Sequence, residues 1–314
     1  MAVEVGKIKN VGIIGAGLMG SGIALIFASK GYKVNLFDSQ EKALPQAIAN
    51  IQTNLGLMAE NGIGCKNEID SIVSNIHTTL AMEEAVLDTQ FIIECVSENL
   101  ELKQQIFRKL DAITPEDVIL ATNTSVISIT EISQLVLNKE RIVGTHFWNP
   151  PFLIPLVEVI RADHTSDEVM NTTFNLMKLV GKHPIRVNKD VPGFVANRLQ
   201  HALWREAISI VERGIADAAT VDESIRYGFG LRLPILGPME NADMVGTDLT
   251  LAIHEYILKH LENSPEPSKL LKEKVNIGEL GFKTGTGFQN WSPADIQQSK
   301  TKLIQYLLKV NKDL

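Results

Sequence analysis

The chain has 314 residues, 45% of them hydrophobic, which is enough for two packed domains. A formal net charge of −7 with no basic stripe argues against a nucleic-acid partner, because phosphate binding needs clustered Lys and Arg. The two cysteines, Cys65 and Cys95, lack metal or redox spacing, so no metal site is expected and a reducing, cytoplasmic setting is the default.

The start, MAVEVGKIKN, reads as lacking the apolar core of a signal peptide, and the terminal NKDL matches no retention or peroxisomal address. Val11 to Asp38 then reads as strand, glycine turn, helix and second strand. Gly15, Gly17 and Gly20 form G-x-G-x-x-G between the apolar run Val11 to Ile14 and a helix-like run from Met19 to Ser29. The first glycine permits a tight turn, the second lets backbone approach a pyrophosphate, and the third lets the helix lie close on the sheet. The pyrophosphate sits at the helix N-terminus, where Leu18 and Met19 complete the binding turn. Asp38 follows about 20 residues on, where a carboxylate accepts hydrogen bonds from ribose hydroxyls. No Arg occurs in residues 39–44, so the expected cofactor is NAD rather than NADP. Residues 11–29 carry no charge, as a membrane span would, but glycines at 12, 15, 17, 20 and 22 make a poor lipid helix, and no membrane association is expected.

A helix is expected over residues 41–61, closed by Asn61-Gly62, then a short strand over 76–79 and a short acidic helix over 82–86. FIIECV, residues 91–96, is a continuous apolar run of the kind buried on both faces of a parallel sheet. Helix 100–113, strand 118–122, helix 129–136 and strand 141–146 continue the alternation, and strands over 155–160 and 185–187 flank a helix over 166–179. This spacing predicts a Rossmann-type α/β fold, a doubly wound and mostly parallel sheet. After Pro192 the strand signal vanishes. Helices are expected over 193–213, 218–227 (capped by Asp217) and 248–261, which makes a smaller, all-helical C-terminal domain. The expected domains are 1–189 and 190–314.

In an open α/β sheet the ligand lies beyond the carboxyl ends of the strands. Those ends carry Ser97-Glu98-Asn99 with Lys103 a turn later, Asn123-Thr124-Ser125, and His146 with Asn149. His146 is the candidate base, since imidazole titrates nearest neutrality. Glu158 is the lone carboxylate in the apolar strand LVEVI, and burial there requires a partner that a neighbouring histidine would supply. The alternative is a structural His146 with Glu158 facing water. Asn197 opens the second domain, and His201, four residues on, is the runner-up base, while His183 reads as structural.

The stretches GIIGAGLMGSGIA, ENLELK, NTS, GTHFWNP, PLVEVI, GKHPIRVNKDVPGFVANRL, ERG and GFKTGTGF, in this order and spacing, resemble the 3-hydroxyacyl-CoA dehydrogenase family over almost the whole chain. The resemblance implies a catalytic pair at His146 and Glu158, and substrate contacts at Ser125 and Asn197. It implies cofactor contacts at Gly15, Gly17, Gly20, Asp38, Glu98, Lys103, Ser125, Asn149 and Lys283. It also implies NAD-dependent oxidation of a small hydroxyacyl substrate in fatty acid metabolism, by a homodimer joined through the helical domain. Two departures bear on the substrate. The helix over 41–61 has Asn54 and Asn61 where the family offers a Ser and a Lys to CoA, and Trp148-Asn149-Pro150-Pro151 followed by LIPLVEV is similar to relatives acting on free acids.

Overall fold

The structure, a computed structural model, describes residues 3–313. Met1, Ala2 and Leu314, which belong to the terminal stretches read above for targeting signals, lie outside the described residues. Eight strands form one sheet: β1 (Asn10–Ile14), β2 (Lys33–Phe37), β3 (Ile76–Thr79), β4 (Phe91–Glu94), β5 (Ile119–Thr122), β6 (Ile142–Phe147), β7 (Leu156–Ile160) and β8 (His183–Val187). Their order is β3-β2-β1-β4-β5-β6-β7-β8, and every pair is parallel except β6 with β7. The order reverses between β1 and β4, and the switch point opens there at the carboxyl ends.

β4 and β5 are buried at every position, and the four apolar positions of β1 likewise, because helices cover both faces of the sheet. One face is filled by the helices Leu18–Ser29, Ala43–Glu60 and Asp167–Leu179, the other by Leu100–Ile113 with the short turns near residues 82–86 and 129–136. Caps fall where the side chains call for them: Asn99 accepts from Leu102 N (2.9 Å) and Asp217 from Thr220 N (2.8 Å).

The chain divides into two compact units, one up to Asn197 together with the residues from Ile304 onward, the other Arg198–Leu303. The first holds the sheet. The second is helical, with Ala218–Tyr227, Pro238–Val245, Thr247–Ile257 and Lys269–Asn276 inside it. The helix expected from residue 193 starts at Ala196, since Gly193 (φ 77°) and Phe194 (φ 51°) are left-handed and cannot continue into helical backbone. Helices Pro238–Val245, Lys269–Asn276 and Pro293–Asp313 are additions to the sequence reading. No helix among the described residues is long and apolar enough to cross a membrane.

Candidate active site

β1 delivers the chain into Gly15, whose φ of 108° only glycine adopts without strain. A Cβ on Gly20 would stand 1.8 Å from Gly15 O, so the helix Leu18–Ser29 approaches the turn as closely as backbone allows. Gly17 differs, for an added Cβ there meets nothing within 4 Å, which leaves the helix N-terminus open to an incoming group. Beside this turn Asp38 is locked in place, its two oxygens accepting from Ala16 N (2.8 Å) and Gln40 N (2.9 Å). An open glycine at a helix N-terminus next to a fixed carboxylate fits the pyrophosphate and ribose of NAD. A 2′-phosphate would meet that carboxylate at close range. NADPH is therefore expected to bind several-fold to many-fold more weakly than NADH, and fluorescence titration of both cofactors checks it; equal affinity would refute the assignment of Asp38.

The second element is the antiparallel pair β6–β7, whose register sets His146 opposite Glu158. Directly opposed residues share one face of the sheet. His146 Nδ1 lies 2.7 Å from Glu158 Oε2, with the histidine 4% and the glutamate 0% exposed. The other carboxylate oxygen, Oε1, accepts from Val195 N and Ala196 N, each at 3.0 Å, at the start of the helix Ala196–Glu212. Burial by itself would raise the Glu158 carboxyl, but the hydrogen bonds from His146, Ala196 and Val195 outweigh it and hold the group below its ordinary value. A carboxylate can only accept, so Nδ1–H is the donor of this pair, and in a neutral ring Nε2 then carries the lone pair. Trp148 and Phe194 flank the ring, with centroids 5.3 and 5.7 Å away.

Glu98 organises the third strand end. Its Oε1 accepts from Thr124 Oγ1 (2.6 Å), Ser125 N (2.9 Å) and Val126 N (3.1 Å), which shapes the turn after β5. Burial opposes its ionisation; those bonds and the Lys103 charge prevail and keep the carboxyl low. Ser125 itself is exposed, and its carbonyl accepts from Asn197 Nδ2 at 2.9 Å, so the structure brings these two predicted residues together. Asn123 Oδ1 takes Phe147 N (2.9 Å), tying this turn to the strand that holds His146. Asn149 is exposed two residues beyond Phe147.

Lys103 is 1% exposed and its ammonium lies against Glu94 Oε1 (2.8 Å) and Oε2 (3.0 Å), with Glu98 Oε2 at 3.4 Å. Its place is beneath the strand ends, holding Glu98. Glu94 is a residue the sequence reading passes over, although the signal is present: a carboxylate inside FIIECV, buried on both faces, demands a partner just as Glu158 does. Lys283 and His201 belong to the second unit. Lys283 sits in the turn closed by the Gly281–Thr286 bridge, and His201 is exposed with its ring 5.1 Å from Trp204. His183 opens β8 and is exposed.

Residues 10–191 match the 3-hydroxyacyl-CoA dehydrogenase NAD binding domain, and residues 193–291 the 3-hydroxyacyl-CoA dehydrogenase C-terminal domain. The chain is 32% identical over 307 residues to a 5-formyl-3-hydroxy-2-methylpyridine 4-carboxylate 5-dehydrogenase of Mesorhizobium japonicum, covering 98% of each. A crystal structure of an enzyme of that name, an NAD+-dependent dismutase, superposes with a TM-score of 0.89 at 31% identity over 97% of this chain and 98% of that one. The (S)-3-hydroxybutyryl-CoA dehydrogenase from Ralstonia eutropha superposes with a TM-score of 0.77 at 36% identity, over 91% of this chain and 100% of that one. With both domains matched and the glycine turn in place, the chain is an NAD-dependent oxidoreductase that belongs to the 3-hydroxyacyl-CoA dehydrogenase family.

Proposed function

We propose that the enzyme oxidises a hydroxyl-bearing carbon β to a carboxyl or thioester, with His146 as base and Glu158 as its support. The observation that carries this reading is the 2.7 Å contact between His146 Nδ1 and Glu158 Oε2 in a buried strand pair. Nε2 takes the hydroxyl proton as the C–H bond gives up its hydride, and the product is the 3-keto compound. NAD supplies the hydride acceptor. Glu158 stabilises the imidazolium that forms, while Ser125 and Asn197 hold the reacting oxygen and the neighbouring carbonyl. Glu98 and Asn149, with Lys283 as the family resemblance implies, complete the cofactor contacts, and Lys103 acts from beneath by holding Glu98. Within this reading residues 1–189 bind the cofactor and 190–314 the substrate and a second copy. The large apolar side chains exposed on the second unit, among them Tyr227, Ile235, Met239 and Tyr256, suit such a homodimer. A cytoplasmic role in fatty acid metabolism goes with a hydroxyacyl-CoA substrate.

One observation favours a smaller substrate. The helix Ala43–Glu60 contains no cation, Asn61 spends its amide on Leu57 O (2.8 Å), and Lys66 is paired with Glu60 (3.0 Å). A phosphate-rich CoA handle finds little to hold it there. The near full-length likeness to a pyridine carboxylate dehydrogenase points the same way, and a hydrated formyl group offers the same O–H and C–H to His146 as a secondary alcohol. With acetoacetyl-CoA a KM toward or above the upper end of about 1 μM to 1 mM is expected. Comparison with a truncated acetoacetyl thioester tests it. If removing the nucleotide costs orders of magnitude in kcat/KM, CoA has a dedicated site and the small-acid reading falls.

A further inference from the structure

The β6–β7 connection, residues 148–155, carries Trp148 and Asn149, two and three residues after His146, and returns the chain to Glu158. Its backbone is held from several sides. Leu153 N and Ile154 N turn back onto Pro150 O at 3.0 Å each. Lys182, just ahead of β8, donates to Pro151 O and to Ile154 O. The Pro151 ring lies on Gly22 of the helix Leu18–Ser29, where an added Cβ would meet it at 2.4 Å. Leu153 O accepts from Asn311 Nδ2 at 2.6 Å.

Asn311 belongs to the helix Pro293–Asp313, whose part from Ile304 onward lies in the first unit. Ile304, Leu307, Leu308 and Asn311 recur at helical spacing and form its covered stripe, while Gln305, Tyr306 and Lys309 are exposed. Leu308 is 1% exposed and anchors the stripe. Asn311 Nδ2 also meets Leu307 O at 2.8 Å, so its amide is fixed from two sides. Lys312 lies over Gly62, the turn that closes the helix Ala43–Glu60, with Nζ 3.6 Å from where a Cβ would stand. Ile304, Leu307, Leu308, Asn311 and Lys312 all follow residue 291, where the match to the family's C-terminal domain ends.

We propose that residues 304–313 are a positioning element for the active-site connection: Asn311, anchored by Leu308, holds Leu153 and thereby sets Trp148 and Asn149 beside His146. The proposal rests on the reading above in which Asn149 contacts NAD, and it assigns that contact, three residues from the base, to the nicotinamide half of the cofactor. Leu153 is fully buried, so loss of the Asn311 donor leaves its carbonyl without that bond, and the connection relieves this by shifting. Near reacting atoms a displacement of about 1 Å costs up to about 10²-fold in rate.

The test uses the full chain with Asn311→Ala, titrated with NADH and with ADP-ribose, which lacks the nicotinamide. ADP-ribose affinity is expected to stay at the wild-type value while NADH affinity falls about tenfold, the scale of one lost hydrogen bond. Truncation after Leu303 is expected to show the same pattern more strongly; should the truncated chain not fold, the point variant decides. A lowered thermal midpoint with the ratio of NADH to ADP-ribose affinity unchanged, or an equal loss for both ligands, would overturn the proposal. No substrate enters these titrations, so a failure of the base assignment would appear in the turnover of His146→Ala and not here.

Discussion

Replacing His146 with alanine is expected to lower turnover by about 10²- to 10⁴-fold, the usual contribution of a positioned acid–base group. NADH affinity should hardly change, because the ring sits at the end of β6 and the adenosine half belongs to the glycine turn and Asp38. Glu158→Gln should also lower turnover strongly, since the amide can neither stabilise an imidazolium nor accept the same set of bonds from Val195, Ala196 and His146. The two losses should combine less than additively, as expected of groups acting through one proton. Steady-state assays of the three variants decide it. Near-normal turnover by His146→Ala would move the role to His201.

Glu158 also makes a prediction about pH. Its folded carboxyl lies below the ordinary 4.5, so the folded state binds fewer protons than the unfolded one where the two values differ. The resulting stability is present in full above the unfolded value and is lost as pH falls through the folded one. Glu158→Gln should therefore flatten the acid limb of a thermal-midpoint profile below about pH 5.

A second large effect is expected at Lys103. Lys103→Met strands Glu94, which is 0% exposed and, among the described residues, otherwise accepts from Thr122 Oγ1 (2.7 Å) and Val96 N (2.7 Å). Removing one partner of a buried pair typically destabilises by about 3–5 kcal/mol. Adding Glu94→Gln should restore part of that loss, because the uncompensated charge goes with it. Urea midpoints for the single and double variants measure both effects. An unchanged midpoint in Lys103→Met would mean that the pair contributes nothing, and that Glu98 keeps its place by its bonds to residues 124–126 alone.

The parts of the site that are legible in the sequence are those where backbone or burial leaves one solution. Gly15 and Gly20 announce the turn because no side chain fits there, and Glu158 announces a partner because a carboxylate in an apolar strand needs one. Glu94 obeys the same rule, but FIIECV reads so plainly as one continuous buried strand that the charge within it is passed over. Strand direction is less visible. The connection after His146 is short, yet Pro150, Pro151 and Pro155 mark it as irregular chain without stating which way β7 runs. The contact of Asn197 with Ser125 joins residues far apart in sequence, and no local pattern encodes it. The helix Pro293–Asp313 escapes for another reason: its apolar stripe occupies only its final turns, and the polar first half dilutes the period.

If His146 and Glu158 work as proposed, the register of β6 against β7 makes the chemistry of this site all-or-none. A slip of one residue would set His146 opposite Val157 or Val159 and turn Glu158 to the far face of the sheet, where it would be an unpartnered charge. There is no intermediate pairing in which the ring and the carboxylate meet at half strength. Insertions and deletions within residues 148–155 are thus filtered by outcome: those the connection absorbs without moving either strand leave a complete dyad, and those that move a strand erase it at once. A library of length variants in this connection should accordingly split into two populations, active and dead, with few members between them.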